Sequence, residues 1–222
     1  MKKILLVVVI IIFITLLLPL AIVWLIGGSG EGQSPIESGT VSVYVSEEDC
    51  VKDMDINEYL KCVVAAEMPA DFEEEALKAQ AVAARTYLYS HIAEKDKGNI
   101  AESHNGAAIC TDSTHCQAYI SEDKRRESWG AGAEENWNKI STAVDETTGQ
   151  IMTYNDEIIS AVFHSTSSGI TESAVDVWGA DVPYLQSVAS TGDEESPKYH
   201  SELTLSEQEF KNIAEEKIDG VD

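Results

Sequence analysis

Between Ile4 and Ile26 the chain runs for 23 residues without a charge, broken only by Thr15 and Pro19. Roughly 20 apolar residues span the hydrocarbon core of a bilayer, and this run exceeds that. A secretory signal carries a shorter apolar region, ~7–15 residues, closed by a small-residue cleavage site. Trp24 stands near the far end of the run, where interfacial aromatics sit, and no clear A-x-A site follows. Lys2 and Lys3 place positive charge ahead of the run and none comes soon after it, so the N-terminus is expected to stay in the cytoplasm. The segment 1–26 therefore predicts a cytoplasmic tip and a single-pass anchor in the cell membrane, with a cleaved signal as the alternative. In either case the body is expected outside the membrane, which excludes a soluble cytosolic enzyme.

That body is acidic. Of 222 residues, 15 are Lys or Arg and 39 are Asp or Glu. With Lys2 and Lys3 set aside, 13 basic residues face 39 acidic ones, a net charge of −26. Such a surface repels phosphate backbones and anionic lipid, so nucleic acid is excluded as a general partner. The acidity itself identifies no ligand and reads as a solvated face that keeps the domain soluble.

Residues 27–39 (GGSGEGQSPIESG) are rich in Gly and Ser and are expected to be a flexible tether, leaving 40–222 as one mixed α+β domain. Thr40 to Val45 alternates and is rich in β-branched residues, which predicts a strand. From Asp55 the period changes to that of a helix. Asp55 and Glu58 have the form of a capping box, and Ile56, Leu60, Val63 and Glu67 follow on one face. Pro69 ends this helix by pushing Met68 out of the helical region. Asp71 is then expected to cap a second helix, with Glu73, Glu74 and Glu75 in its first turn. Its stripe of Ala76, Leu77, Ala81, Ala84 and Leu88 implies close approach by another element. Beyond a polar loop, a short strand is expected near 117–120, then a charged stretch to Glu127 and a helix over 137–146. A hairpin of strands 150–153 and 158–164 turns at Asn155-Asp156, and a last helix runs over 205–217 behind Thr204 or Ser206.

Glu67 is the first candidate for chemistry. It continues an apolar stripe in the last turn of its helix, where desolvation and the negative end of the helix dipole both favour the protonated form. A general acid near neutral pH requires that form. The plainer reading is a carboxylate turned to water or paired with Arg85. Arg85 itself lies among alanines and is expected to be partly buried against a carboxylate or a ligand. Lys78, by pattern, is an ordinary helix lysine. Cys110, His115 and Cys116 form C-x4-H-C, the ligand types that Zn²⁺ prefers, with His104 available as a fourth. A Cys110–Cys116 disulfide is the rival, and an even count of four cysteines outside the membrane permits one. His164, Ser165 and Ser167 lie in a hydroxyl-rich loop without a G-x-S-x-G elbow, which suits hydrogen bonding to a polar ligand or to its own backbone. Trp178 and Tyr184 flank Gly179 and Pro183 and can stack on sugar faces or cover a core edge.

Together these residues form a familiar set. The block YLKCVVAAEMPADFEEEALKAQAVAARTYLY (59–89) resembles the signature of the stage II sporulation protein D family. CTDSTHCQAY (110–119) and FHSTSSGITESAVDVWGADVPYLQSV (163–188) are similar to its later blocks, in the same order. The resemblance implies a lytic transglycosylase of the bacterial wall, active in engulfment during sporulation. Such an enzyme cleaves the β-1,4 bond between N-acetylmuramic acid and N-acetylglucosamine without water and leaves a 1,6-anhydro end. By matching position, Glu67 is the catalytic acid/base, and Lys78 and Arg85 are needed for substrate engagement or activity. His164, Ser165, Ser167 and Trp178, read from their own loop chemistry and aromatic placement, are the expected substrate-binding residues. Zinc, bound in some members, falls to Cys110, His115 and Cys116. The implied partners are glycan strands stripped of their peptides, a partner amidase, and other engulfment membrane proteins.

The match has departures. The family usually has Gly where this chain has Cys62, and a second loop glycine is Ser168 here. Members continue into a Gly-His-Gly-rich block, which leads to the expectation that the chain is incomplete at its C-terminus. Two rivals belong to other classes. A related branch consists of amidase enhancers, which implies a non-catalytic wall-binding module. A zinc hydrolase built on the C-x4-H-C loop predicts water-derived reducing ends.

Overall fold

Val41, Val43 and Val45 all point inward from Thr40–Val45, the strand that the alternation predicts, here β1. The computed structural model describes residues 39–99, 101–196 and 199–217. The expected anchor and nearly all of the expected tether lie outside these residues. Among the described residues, no helix is long and apolar enough to cross a membrane. They divide into two compact units, one ending at Val162 and the other starting at Phe163.

In the first unit, β1 pairs antiparallel with β2 (Cys50–Asp55) and parallel with β3 (Ile109–Cys110), giving the order β2-β1-β3. β2 gives little signal in the sequence. As an edge strand it is largely exposed, and CVKDMD carries too little apolar alternation to announce itself. The strand expected near 117–120 is not formed, and the third strand lies at Ile109–Cys110 instead. The amide of Ala118 goes to a side chain rather than to a ladder.

Three helices close over this sheet. The first, α1 (Ile56–Glu67), starts where its cap predicts, with Asp55 accepting from the amides of Asn57 and Glu58 at 2.9 and 3.1 Å. It stops at Met68, whose φ of −131° and ψ of 135° are extended, as expected before a proline. The second, α2 (Glu74–Asp96), begins later than expected. A turn closed by the Phe72 amide on the Pro69 carbonyl takes up Asp71, so the cap position falls to Glu73, which makes no side-chain cap bond. A helix absent from the sequence reading, α3 (Glu122–Trp129), buries no residue; Arg126 holds it through Glu122 and Glu134. The third core helix, α4 (Ala133–Glu146), supplies Trp137, Ile140, Ala143 and Val144.

The core lies between α1, α2 and α4. Leu60, Val63 and Val64 of α1 meet Leu77, Ala81, Ala84 and Leu88 of α2, with Ile109 below. Ala81 and Ala84 are fully buried, and their lack of bulk lets the helices approach, as the alanine stripe implies. A hairpin of β4 (Thr153–Tyr154) and β5 (Glu157–Ile158) follows, shorter than the sequence suggests. Its turn residues Asn155 and Asp156 have φ of 51° and 65°, the left-handed pair that a two-residue hairpin loop demands.

The second unit holds α5 (Ala174–Trp178), capped by Ser173, and α6 (Glu207–Lys217), where Ser206 accepts from the Glu209 amide and donates to its carboxylate. Within this unit an antiparallel bridge joins Ile170 to Ala189.

Candidate functional site

Glu67 is half-buried at the last residue of α1, held there by the proline-imposed stop two residues on. Its Oε1 accepts a hydrogen bond of 2.7 Å from the amide of Ala118. Among the described residues Oε2 carries no hydrogen bond, so one oxygen is fixed and the other is free to meet a ligand. The pairing with Arg85 that the sequence allowed is not made.

Ala118 ends a loop that begins on β3. The Thr111 amide donates to the Tyr44 carbonyl, and the Thr111 hydroxyl accepts from the Ser46 amide. Asp112 then reverses the chain. Its carboxylate accepts from the Thr114 amide and hydroxyl, which hold it below the usual carboxylate range, and its carbonyl accepts from the His115 and Cys116 amides. The turn carries His115 and Cys116 back over Cys110. His104 comes from a separate 3-10 turn, 102–104, closed by Asn105 at a φ of 49°.

The four ligand atoms lie within 4.8 Å of one another. His104 Nε2 is 3.1 Å from His115 Nδ1 and 3.2 Å from Cys116 Sγ, while His115 Nδ1 is 3.4 Å from Cys116 Sγ and 3.6 Å from Cys110 Sγ. Tetrahedral zinc with Zn–N of about 2.0–2.1 Å and Zn–S of about 2.3 Å places its ligands at such separations. The donor set therefore fits the metal. The outer contact has the same character: Ser103 Oγ lies 3.2 Å from His115 Nε2 and turns Nδ1 inward. Burial keeps His104 below its ordinary value, favouring the neutral, ligating imidazole. Burial also pushes the Cys116 thiol up to about 12, so only a neighbouring cation would make it a thiolate at neutral pH. All four cysteines are free thiols, and no Cys110–Cys116 bond is formed. His104 completes a set of four protein ligands, a closed arrangement without the open position that a catalytic zinc keeps.

The cations of α2 are placed elsewhere. Arg85 is 1% exposed, and its guanidinium donates to the carbonyls of Val144 at 2.9 Å and Thr147 at 2.6 Å. Lys78 forms ion pairs with Glu74, Glu75 and Glu146, which hold its pKa well above the ordinary lysine value. Lys61 of α1 pairs with Asp145. Three cations from two helices thus gather around the C-terminal turn of α4, where the helix dipole favours positive charge. Sequence reasoning found Arg85 and Lys78 but not the α4 terminus that engages them, because no local signal links residues about 60 positions apart.

The second unit carries the other predicted ligand-binding residues. His164 and Ser165 are exposed, and Trp178 is 59% exposed at the end of α5. Ser167 turns inward, its amide donating to Asp193 at 2.9 Å and its hydroxyl to the same carboxylate oxygen. Asp193 was not singled out in the sequence, where it stands among acids in a polar stretch.

Comparison with known proteins bears on this arrangement. The family model described as SpoIID, stage II sporulation protein, matches residues 44–154, half of the chain. Stage II sporulation protein D of Bacillus subtilis (strain 168) is 38% identical over 194 residues, covering 86% of this chain and 55% of the relative. That of Bacillus amyloliquefaciens is 38% identical over 190 residues, covering 86% and 53%. A protein named amidase enhancer from Bacillus subtilis (strain 168) is 36% identical over 151 residues, covering 68% of this chain and 17% of its own. The chain spans about half the length of the two sporulation proteins it matches.

Proposed function

The chain belongs to the stage II sporulation protein D family, and from that premise we propose that it is a lytic transglycosylase of the spore-former's cell wall. The observation that carries the reading is Glu67, half-buried at a helix end with one oxygen fixed by Ala118 and the other uncommitted. Hydrolytic glycosidases pair two carboxylates at a defined separation, one of them to manage water or to attack. A transglycosylase works with one. Glu67 gives its proton to the glycosidic oxygen as the bond from C1 of N-acetylmuramic acid breaks. The 6-hydroxyl of the same sugar bonds to C1 and returns its proton to the Glu67 carboxylate. The products are a free 4-hydroxyl on N-acetylglucosamine and a 1,6-anhydro end, and the enzyme finishes as it began.

In this reading Lys78 and Arg85 act through the fold, holding α2 on α4 behind α1, while His164, Ser165 and Trp178 offer the glycan hydrogen bonds and a stacking face. His104, Cys110, His115 and Cys116 would hold a zinc ion whose chemistry is structural, fixing the loop that ends at Ala118. The substrate is glycan stripped of peptides, which places the protein after a partner amidase and beside other engulfment membrane proteins. Residues 1–26 anchor it to the cell membrane with the domain outside.

The deciding experiment is product analysis of denuded glycan strands incubated with the protein, with and without chelator. Anhydro ends are expected. Reducing ends lost on chelation would favour a zinc hydrolase. Unchanged strands together with stimulation of an added amidase would favour a wall-binding module, the role suggested by the relative named amidase enhancer.

A further inference from the structure

In the second unit, one carboxylate oxygen gathers three donors. Asp193 Oδ2 accepts from the Ser167 amide at 2.9 Å, from the Ser167 hydroxyl, and from the Ser190 hydroxyl at 2.8 Å. The Ser167 hydroxyl in turn accepts from the Gly169 amide at 3.1 Å, at a glycine whose φ of 99° few other residues adopt. The two segments are tied again beyond this point. Ser190 donates to the Gly169 carbonyl at 2.9 Å, and Thr171 donates to the Val188 carbonyl at 2.8 Å. Thr166 and Ser196 face each other at 3.4 Å. These bonds hold down the inward side chains of the loop 164–169 and leave His164, Ser165 and Ser168 exposed on its outer side.

We propose that Asp193 is the positioning residue of the glycan-binding loop 164–168, setting the orientation in which His164, Ser165 and Ser168 meet the sugar. A run of Ser and Thr has no stiff backbone of its own, because short hydroxyl side chains bond equally well to several nearby main-chain groups. A charged acceptor selects one arrangement, since its hydrogen bonds are roughly twice as strong as neutral ones. Ser167 then has no hydroxyl to spare for a ligand; its place in the loop is as the point of attachment. A loop ordered before binding loses less entropy when the ligand arrives, so its benefit appears in affinity rather than in the chemical step.

The inference rests on the reading of this loop as a glycan contact, and the test separates the two. Binding of denuded glycan strands is measured with Asp193→Ala, Asp193→Asn and Ser167→Ala, each in the uncleavable Glu67→Gln background, and cleavage is measured with Glu67 restored. Asp193→Ala should weaken binding about tenfold, as loss of roughly one net charged hydrogen bond would, and raise KM while kcat holds. Asp193→Asn keeps an acceptor oxygen but not the charge and should fall between the parent and Asp193→Ala, weakening binding about threefold. In the Ser167→Ala background, Asp193→Ala should add little. Amide exchange at Ser167 and Gly169 should speed up in Asp193→Ala alone, and an unchanged thermal midpoint would show that the unit still folds. Glycan binding equal to the parent in Asp193→Ala overturns the inference. Cleavage lost in every variant and in the parent, with binding still sensitive to Asp193, overturns the enzymatic reading and leaves the inference standing. A parent that binds no glycan overturns both.

Discussion

The carboxylate of Glu67 and the amide of Ala118 are joined at 2.7 Å, two residues beyond Cys116. The helix that carries the acid and the loop that carries the cysteines are therefore one mechanical unit. A shift of the Asp112–Cys116 turn moves the donor that fixes Glu67, and positioning to well under an ångström is what a proton transfer between fixed groups needs.

Glu67→Gln keeps the acceptor oxygen for Ala118 and removes the proton that the proposed reaction transfers. Cleavage of denuded glycan should fall by about two to four orders of magnitude, the usual worth of general acid–base catalysis, with no change in thermal midpoint. Muropeptide analysis checks it, and anhydro products at the parent rate would refute the assignment.

Arg85→Ala takes a charged donor from the Val144 and Thr147 carbonyls, which keep only the Thr147 hydroxyl and the Gln150 amide, and empties a buried site. At about 1.5 kcal/mol for each charged hydrogen bond lost, with the emptied volume set against relief of a buried cation, stability should drop by roughly 2–3 kcal/mol. Denaturant unfolding measures it. Activity should fall only in step with the folded fraction, whereas loss of activity in a fully folded Arg85→Ala protein would place this residue at the substrate.

Cys116→Ser removes one of the four donors of the proposed zinc site and should take zinc content from an expected one per chain to near zero, with a lower thermal midpoint, because site affinity is folding free energy in such loops. Metal analysis and thiol titration together check this. Two accessible thiols fewer without any metal would indicate the disulfide instead.

Burial pushes the Cys62 thiol from its ordinary 9.0 up to about 11. The folded chain holds this proton while the unfolded chain releases it, so the contribution is fully present below pH 9 and is lost as pH rises toward 11. Stability should decline across that window by up to about 1.4 kcal/mol per pH unit from this group, with buried Tyr59 adding to the slope above pH 10. Urea midpoints between pH 8 and 11 should show a shallower decline in Cys62→Ala.

Asp55→Ala removes the acceptor of two first-turn amides and should cost about 1 kcal/mol, seen as a lower denaturation midpoint and earlier amide exchange at Asn57 and Glu58.

Much of the local order was legible in the sequence where its cause is local. Asp55, the 3.6-residue stripe and Pro69 fix where α1 starts, which way it faces and where it stops, all within a dozen residues. The alternation of Thr40–Val45, the alanine stripe and the Asn155-Asp156 turn are likewise properties of adjacent side chains. Cys110, His115 and Cys116 can be suspected because all three lie within seven consecutive residues. Only the tertiary structure decided what these pieces do to one another. It gave Glu67 the Ala118 amide 51 residues away instead of Arg85, sent Arg85 to the end of α4, added His104 to the cysteines, and joined Ser167 to Asp193 across 26 residues. Such pairings depend on how helices and loops pack, and a hydrogen-bonding group carries no mark in the sequence of which distant partner the packing will bring within 3 Å. Neighbouring side chains account for β1, α1 and the hairpin turn; the choice of partner at Glu67 belongs to the packed chain.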